Sequence, residues 1–273
     1  MRKVPFSMEK LVDLPDEFYR IISFSPSVTE ILYEFGMENR IVGVSAFCAR
    51  PERTREKRKV GSYGSARTDV LKEMNPDMIM MISGYQNDFY ERISKDFPAY
   101  MFELPSTMLE VLNLIKRVGI VTNSYEKAEE IVSDLTDRMP EFRHRKRFSA
   151  YIEIDLGGPV SFGAYSYITD TLRHYGFDSI FSNREREWIT PDLQEVAKSD
   201  PDVIFYEPKM YSKFDKNRLQ EIFEERKWSS LRAVRNDHVF VTPGKLDFFA
   251  HHGPSFIREV IPWIDRINSE MSG

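Results

Sequence analysis

The chain has 273 residues, with 38 Lys and Arg against 43 Asp and Glu and a formal net charge of −5. That balance argues against a role on a nucleic-acid backbone, which needs a surplus of clustered cations, and the single Cys48 excludes an intrachain disulfide or a multi-cysteine metal cluster. The length suits one large domain or two small ones, able to bury about 75% of the unfolded surface without disulfides.

No apolar stretch reaches the ~18 residues that cross a bilayer. The N-terminal MRKVPFSMEKLVDLPDEFYR carries Glu9, Asp13, Asp16 and Glu17 where a secretory signal has its apolar core. The expectation is a soluble protein, cytoplasmic as written, with no lipid anchor at Cys48, which lies well inside the folded part.

Arg20-Ile-Ile-Ser-Phe24 is a β-rich run. Ser27 and Glu30 read as a capping box, and Val28, Ile31, Leu32 and Phe35 share a helical face that Gly36 ends. A strand at Arg40 to Val44 follows, and strands alternating with helices predict a parallel sheet with crossovers. Asp69 to Met74 reads as a short helix, Asn75-Pro76-Asp77 as a turn, and Met78 to Ile82 as a buried strand. Thr107 and Glu110 form a second capping box before a helix that closes the first lobe near Gly119.

From Ser124 to about Arg147, Ala128, Ile131, Val132, Leu135, Met139 and Phe142 fall on one helical face. A helix of ~22 residues would run about 33 Å and serve as a connector, with Pro140 as the point most apt to interrupt it. Beyond it the spacing predicts strands at Ala150 to Ile154, Val203 to Tyr206 and His238 to Thr242, and helices at Ile168 to Tyr175, Arg218 to Glu225 and from Ser255. TDVLKEMNPDMIMM from Thr68 and LQEVAKSDPDVIFY from Leu193 align without a gap at an offset of 125 residues. Chance recurrence of helix-Pro-Asp-strand junctions is one account; two similar lobes is the one that places both copies equivalently. The predicted organisation is α/β, two Rossmann-like lobes at 18–121 and 148–273 joined by a long connecting helix at 122–147.

P-loop, dinucleotide, nucleophile-elbow and zincin motifs are absent from the sequence, and no metal site or catalytic set is predicted. His144, His174 and His238 read as solvated or structural. His251 and His252, in the loop LDFFAHHGP, read either as packing residues or as one histidine facing a ligand, since adjacent side chains diverge in extended backbone. Aromatic residues recur in loops after predicted strands: Phe47, Tyr63, Tyr85, Tyr165, Tyr167, Trp188, Phe248 and Phe249. Ligands of open α/β sheets bind beyond the carboxyl ends of the strands, and flat rings suit a large, partly apolar ligand.

RIISFSPSVTEILYEFGMENRIVGVSAFCARP, then VGSYG and DVLKEMNPDMIMM, resemble the first lobe of the cobalamin-binding and iron-chelate-binding proteins that serve ABC importers. The similarity runs from about Arg20 to the last helix. It implies ligand held between the lobes, a rigid connector permitting only small closure, and a signal-less member of the family. By motif it puts Phe47 and Tyr63 on the ligand from the first lobe, and Tyr165, Trp188 and Asp247 from the second. The family docks its transporter through one glutamate on each lobe. Asp69 and Gln194 stand at those positions, with Glu195 beside the latter, so weak or absent docking to a permease is expected.

The reading is thus a non-enzymatic, monomeric solute-binding protein for a small-molecule corrinoid, cobalamin first, with no catalytic cofactor. An iron-chelate or haem binder is the alternative within the class, set second because the candidate loops hold few arginines beyond Arg50 and Arg67. An enzyme acting on a tetrapyrrole through His251 or His252 is the alternative outside it.

Overall fold

The computed structural model describes residues 2–7, 10–141 and 145–273; His144 and Phe142 lie outside them. The chain divides into two units. One comprises the described residues up to Pro105, Leu109–Arg138 and His252–Pro254; the other comprises Ser106–Met108, Met139–His251 and Ser255–Gly273. No helix among the described residues is long and apolar enough to cross a membrane.

The first unit opens with an antiparallel hairpin, β1 (Arg2–Ser7) and β2 (Lys10–Leu14), that the sequence reading did not anticipate. There follow β3 (Ile21–Ser23), α1 (Pro26–Glu34), β4 (Ile41–Ser45), β5 (Lys59–Gly61), α2 (Thr68–Met74), β6 (Met78–Ile82), α3 (Asn87–Ile93), β7 (Ala99–Phe102), α4 (Met108–Thr122) and α5 (Tyr125–Arg138). Its sheet is wholly parallel in the order β5-β4-β3-β6-β7. Every residue of β6 is buried, as a central parallel strand covered on both faces requires. Chain order reverses at β3 and β6, which makes their carboxyl ends the switch point of the unit.

The second unit contains β8 (Phe148–Asp155), β9 (Pro159–Phe162), α6 (Tyr167–His174), β10 (Phe177–Ser179), β11 (Trp188–Ile189), α7 (Leu193–Ser199), β12 (Val203–Glu207), α8 (Lys216–Glu225), α9 (Arg232–Arg235), β13 (Val239–Val241) and α10 (Ile261–Ser272). Its sheet runs β11-β9-β8-β12-β13, with β10 also on β8. β8 and β12 are parallel, whereas β9 returns antiparallel to β8. Burial of Glu153, 1% exposed, is matched by two bonds from Arg226, 2.7 and 2.8 Å, and one from the Tyr151 hydroxyl.

The two sequence copies fold alike. α2 and α7, the left-handed residues Asn75 (φ 42°) and Asp200 (φ 42°), and strands β6 and β12 occupy matching positions at the offset of 125. In each copy the aspartate after proline pins the neighbouring central strand. Asp77 accepts from the amides of Tyr19 (2.6 Å) and Arg20 (3.0 Å), and returns its own amide to Arg20 O (3.1 Å). Asp202 accepts from Ser149 N (2.9 Å) and Ser149 Oγ (2.7 Å), and its amide bonds Ser149 O (2.9 Å). Arg20 and Arg232 hold the carbonyls at the ends of α2 and α7.

Three local expectations are corrected. The cap of α1 is Ser25, whose Oγ accepts from Val28 N at 3.3 Å, not a box at Ser27 and Glu30; Pro26 at the first helical position fixes φ for helix entry and moves the cap back. α4 runs past Gly119 to Thr122. There a Cβ would stand 2.6 Å from that of Ala128 on α5, so Gly119 allows two helices to approach. The long helix from Ser124 to about Arg147 is 14 residues, Tyr125–Arg138, and all of it belongs to the first unit. The ring of Pro140 disfavours helical backbone in the residue before it, which ends the helix.

Removing either junction carboxylate leaves two strand-entry donors to water alone. Asp77→Ala and Asp202→Ala are each expected to cost about 1–3 kcal/mol. Urea unfolding of the two variants against the parent measures it.

Candidate functional site

Three aromatic rings stand on loops leaving the carboxyl ends of β4, β5 and β6. Phe47 and Tyr63 meet edge to face with centroids 6.3 Å apart, and Tyr63 and Tyr85 lie 6.1 Å apart at 36°. Phe47 is 44% and Tyr85 71% exposed, while Tyr63 is half-buried. Exposed apolar rings that cluster, rather than stand singly, mark a candidate contact surface.

A buried amide holds the loops in place. Gln86 accepts from Ile82 N at 2.8 Å and donates to Phe24 O at 3.1 Å and to Tyr63 O at 2.6 Å, tying together the chain just past β3, the end of β6 and the loop after β5. Gly64 lets the ring of Tyr85 come in, since a Cβ there would lie 2.8 Å from it. Sequence reasoning missed Gln86. Its only signal is a polar side chain just after the apolar strand Met78 to Ile82.

In the second unit Tyr165 and Trp188, 55% and 50% exposed, lie on adjacent segments. Ala164 N bonds Arg184 O at 2.7 Å, Tyr165 N bonds Arg186 O at 3.0 Å, and Trp188 pairs with Phe162. A Cβ on Gly163 would stand 2.5 Å from the carbonyls of Arg184 and Arg186, so glycine permits this closure. Burial pushes the Glu187 carboxyl above its ordinary range. Because β9 is antiparallel to β8, Tyr165 does not follow the carboxyl end of a parallel strand, and Trp188 is itself in a strand.

The loop after β13 is placed differently from the sequence expectation. Asp247 is partly exposed, and its Oδ2 lies 3.4 Å from His251 Nδ1. Phe248, His251 and His252 are buried, at 4%, 1% and 5% exposure. Phe248 and Phe249 are drawn inward by packing on Trp263, at 5.5 and 5.8 Å. Tyr167, also read as a loop aromatic, opens α6 and donates its hydroxyl to Phe249 O at 2.6 Å. Among the described residues no group of three or more His, Cys, Asp or Glu is placed to hold a metal ion.

The loops after β12 and β13 also frame a cavity of about 330 Å³ lined by Lys209, Lys213, Lys245 and Asp215 together with Phe214, Val241 and Leu246. Asp69 and Gln194 hold the same place in the first turn of α2 and α7. Asp69 is ion-paired to Arg67, whose guanidinium holds its carboxyl below the usual range. Glu195 is paired to Arg184 at 2.6 Å.

Residues 21–246 match the Periplasmic binding protein family. The Vitamin B12-binding protein of Vibrio parahaemolyticus is 18% identical over 243 residues, covering 87% of this chain and 86% of its own. The high-affinity heme uptake system protein IsdE of Staphylococcus aureus is 20% identical over 233 residues, covering 81% and 78%. The crystal structure of the periplasmic vitamin B12 binding protein BtuF of Vibrio cholerae superposes with a TM-score of 0.73 at 18% identity, over 94% of this chain and 98% of that one.

Gln86→Leu keeps roughly the shape and strips three backbone groups, two of them buried, of their partner. A loss of about 2–3 kcal/mol in stability is expected, together with an altered tyrosine environment at Tyr63 and Tyr85. Denaturant unfolding and near-ultraviolet circular dichroism read the two effects.

Proposed function

The chain belongs to the periplasmic binding protein family, and on that premise we propose that it is a solute-binding protein whose ligand is a corrinoid, cobalamin first. The observation that carries this reading is the aromatic set Phe47, Tyr63 and Tyr85, two of its rings exposed, with the Tyr63 backbone and the strand end before Tyr85 tied together by a buried glutamine. Flat apolar faces with polar edges complement a macrocycle that carries amide side chains. Tyr165, Trp188 and the partly exposed Asp247 are the proposed contacts from the second unit. The curated relatives named for vitamin B12 and for heme support the same class of large metal chelate.

A second reading is favoured by one feature. Lys209, Lys213 and Lys245 line one cavity against the single carboxylate of Asp215, and that surplus of cations suits the carboxylates of an anionic chelate such as haem better than the amides of a corrinoid. Incubation with corrinoids, haem and ferric chelates, followed by desalting and absorption spectroscopy, separates the readings. Retention of one equivalent of corrinoid is expected. Tyr63→Ala and Trp188→Ala should then weaken binding ~5- to 150-fold, equivalent to about 1–3 kcal/mol of lost ring burial. Retention of haem or a ferric chelate alone overturns the corrinoid in favour of the second reading, and retention of nothing overturns both.

For the transporter we propose weak docking. Asp69 has the charge but a shorter reach and is already paired to Arg67, while Gln194 has the reach without the charge. Gln194→Glu is expected to strengthen association with a vitamin B12-type permease in a pull-down, and Asp69→Ala to change it little. Tight binding by the parent that Asp69→Ala abolishes contradicts this.

A further inference from the structure

Glu207 is the last residue of β12 and 2% exposed. Its two carboxylate oxygens each accept from the backbone of one loop: Phe248 N bonds Oε1 at 3.1 Å and Phe249 N bonds Oε2 at 2.5 Å. The partners are 41 and 42 residues away, so the clamp fastens the loop after β13 to the end of a central strand. Charge-assisted bonds to two successive amides fix backbone direction more tightly than a single neutral acceptor does. The same loop is held from the other side by Tyr167 Oη on Phe249 O, and by the rings of Phe248 and Phe249 against Trp263. Asp247, immediately before the clamped pair, is thereby left with its carboxylate partly exposed and 3.4 Å from His251.

The fold itself does not call for a charge at this place. In the first unit the matching strand ends at Ile82, fully buried and apolar, at the same offset of 125. A buried carboxylate is a costly substitute for isoleucine unless its bonds are needed.

We propose that Glu207 is a positioning residue for the binding site: it orients the loop that presents Asp247, without touching the ligand itself. This rests on the reading that Asp247 faces the ligand, and the test keeps the two apart.

Glu207→Gln preserves shape but turns an amide NH2 toward one of two backbone donors. Amide hydrogen exchange at Phe248 and Phe249 is expected to speed at least tenfold in this variant, a readout that needs no ligand. Affinity for whichever chelate the parent retains should fall about tenfold, and Glu207→Gln combined with Asp247→Ala should lose no more than Asp247→Ala alone. Glu153→Gln, which loosens an equally buried carboxylate in the same sheet, should lower stability and leave affinity unchanged. Unaltered exchange in Glu207→Gln, or losses that add in the double variant, overturns the proposal. If the parent binds no chelate, the proposed function fails, and the exchange measurement still decides whether Glu207 holds the loop. Should Glu207→Gln not fold, Glu207→Asp keeps the charge one methylene back and is read the same way.

Discussion

Each half of this protein depends on the bond between an aspartate at a helix-strand junction and the backbone of the strand beside it. α2 and α7 are only seven residues long, too short to be stable by propensity alone. Their carbonyl ends must be satisfied, and the chain must reverse into a strand that is buried on both faces. A left-handed residue makes the reversal, proline prevents the helix from continuing, and the aspartate fixes the register Ile21↔Met78 in one unit and Ala150↔Val203 in the other. With the register of two central strands set, the carboxyl ends of all their neighbours are set too.

Loops of the candidate site adjoin those ends, and each unit secures one such region with a buried polar side chain. Gln86 offers an acceptor and two donors, so it can bind one amide and two carbonyls at once. Glu207 offers only acceptors and binds two amides. The choice follows from what each loop exposes to the interior: carbonyls of Phe24 and Tyr63 in the first unit, amides of Phe248 and Phe249 in the second. Hydrophobic contacts are non-directional and could not select one loop conformation in this way.

Much of this architecture was legible in the sequence, because the Pro-Asp junction is a local feature with a local cause. The sequence placed β6, β12 and α2 to within a residue, and the repeat alone pointed to a helix where α7 stands. The long helix was misjudged because its apolar spacing continues past Pro140 although the backbone cannot. Strand β9 went unseen since PVSF is too short and mixed to show a period of two, and with it went the reason that Tyr165 and Trp188 adjoin. Aromatic residues after strands proved a mixed signal. Phe47 and Tyr85 stand out in solvent, whereas Phe248 and Phe249 turn inward to Trp263, a residue that no local pattern links to them. Gln86 and Glu207 were invisible for the same reason: their partners lie as far as 62 and 42 residues away.

The repeat also divides the constraints on the sequence. Where the two copies agree, as at Pro76 and Pro201 or Asp77 and Asp202, the shared residue serves the junction, which both sheets need. Among the many positions where they differ are the strand end, Ile82 against Glu207, and the first turn of the helix, Asp69 against Gln194. Such positions are free of the junction's demands, so a residue that is costly to bury or unusual in charge stands there for some other cause. A fold built twice from one plan therefore supplies its own internal control, in which the strand end at Ile82 and Glu207 is the departure that adds a buried charge.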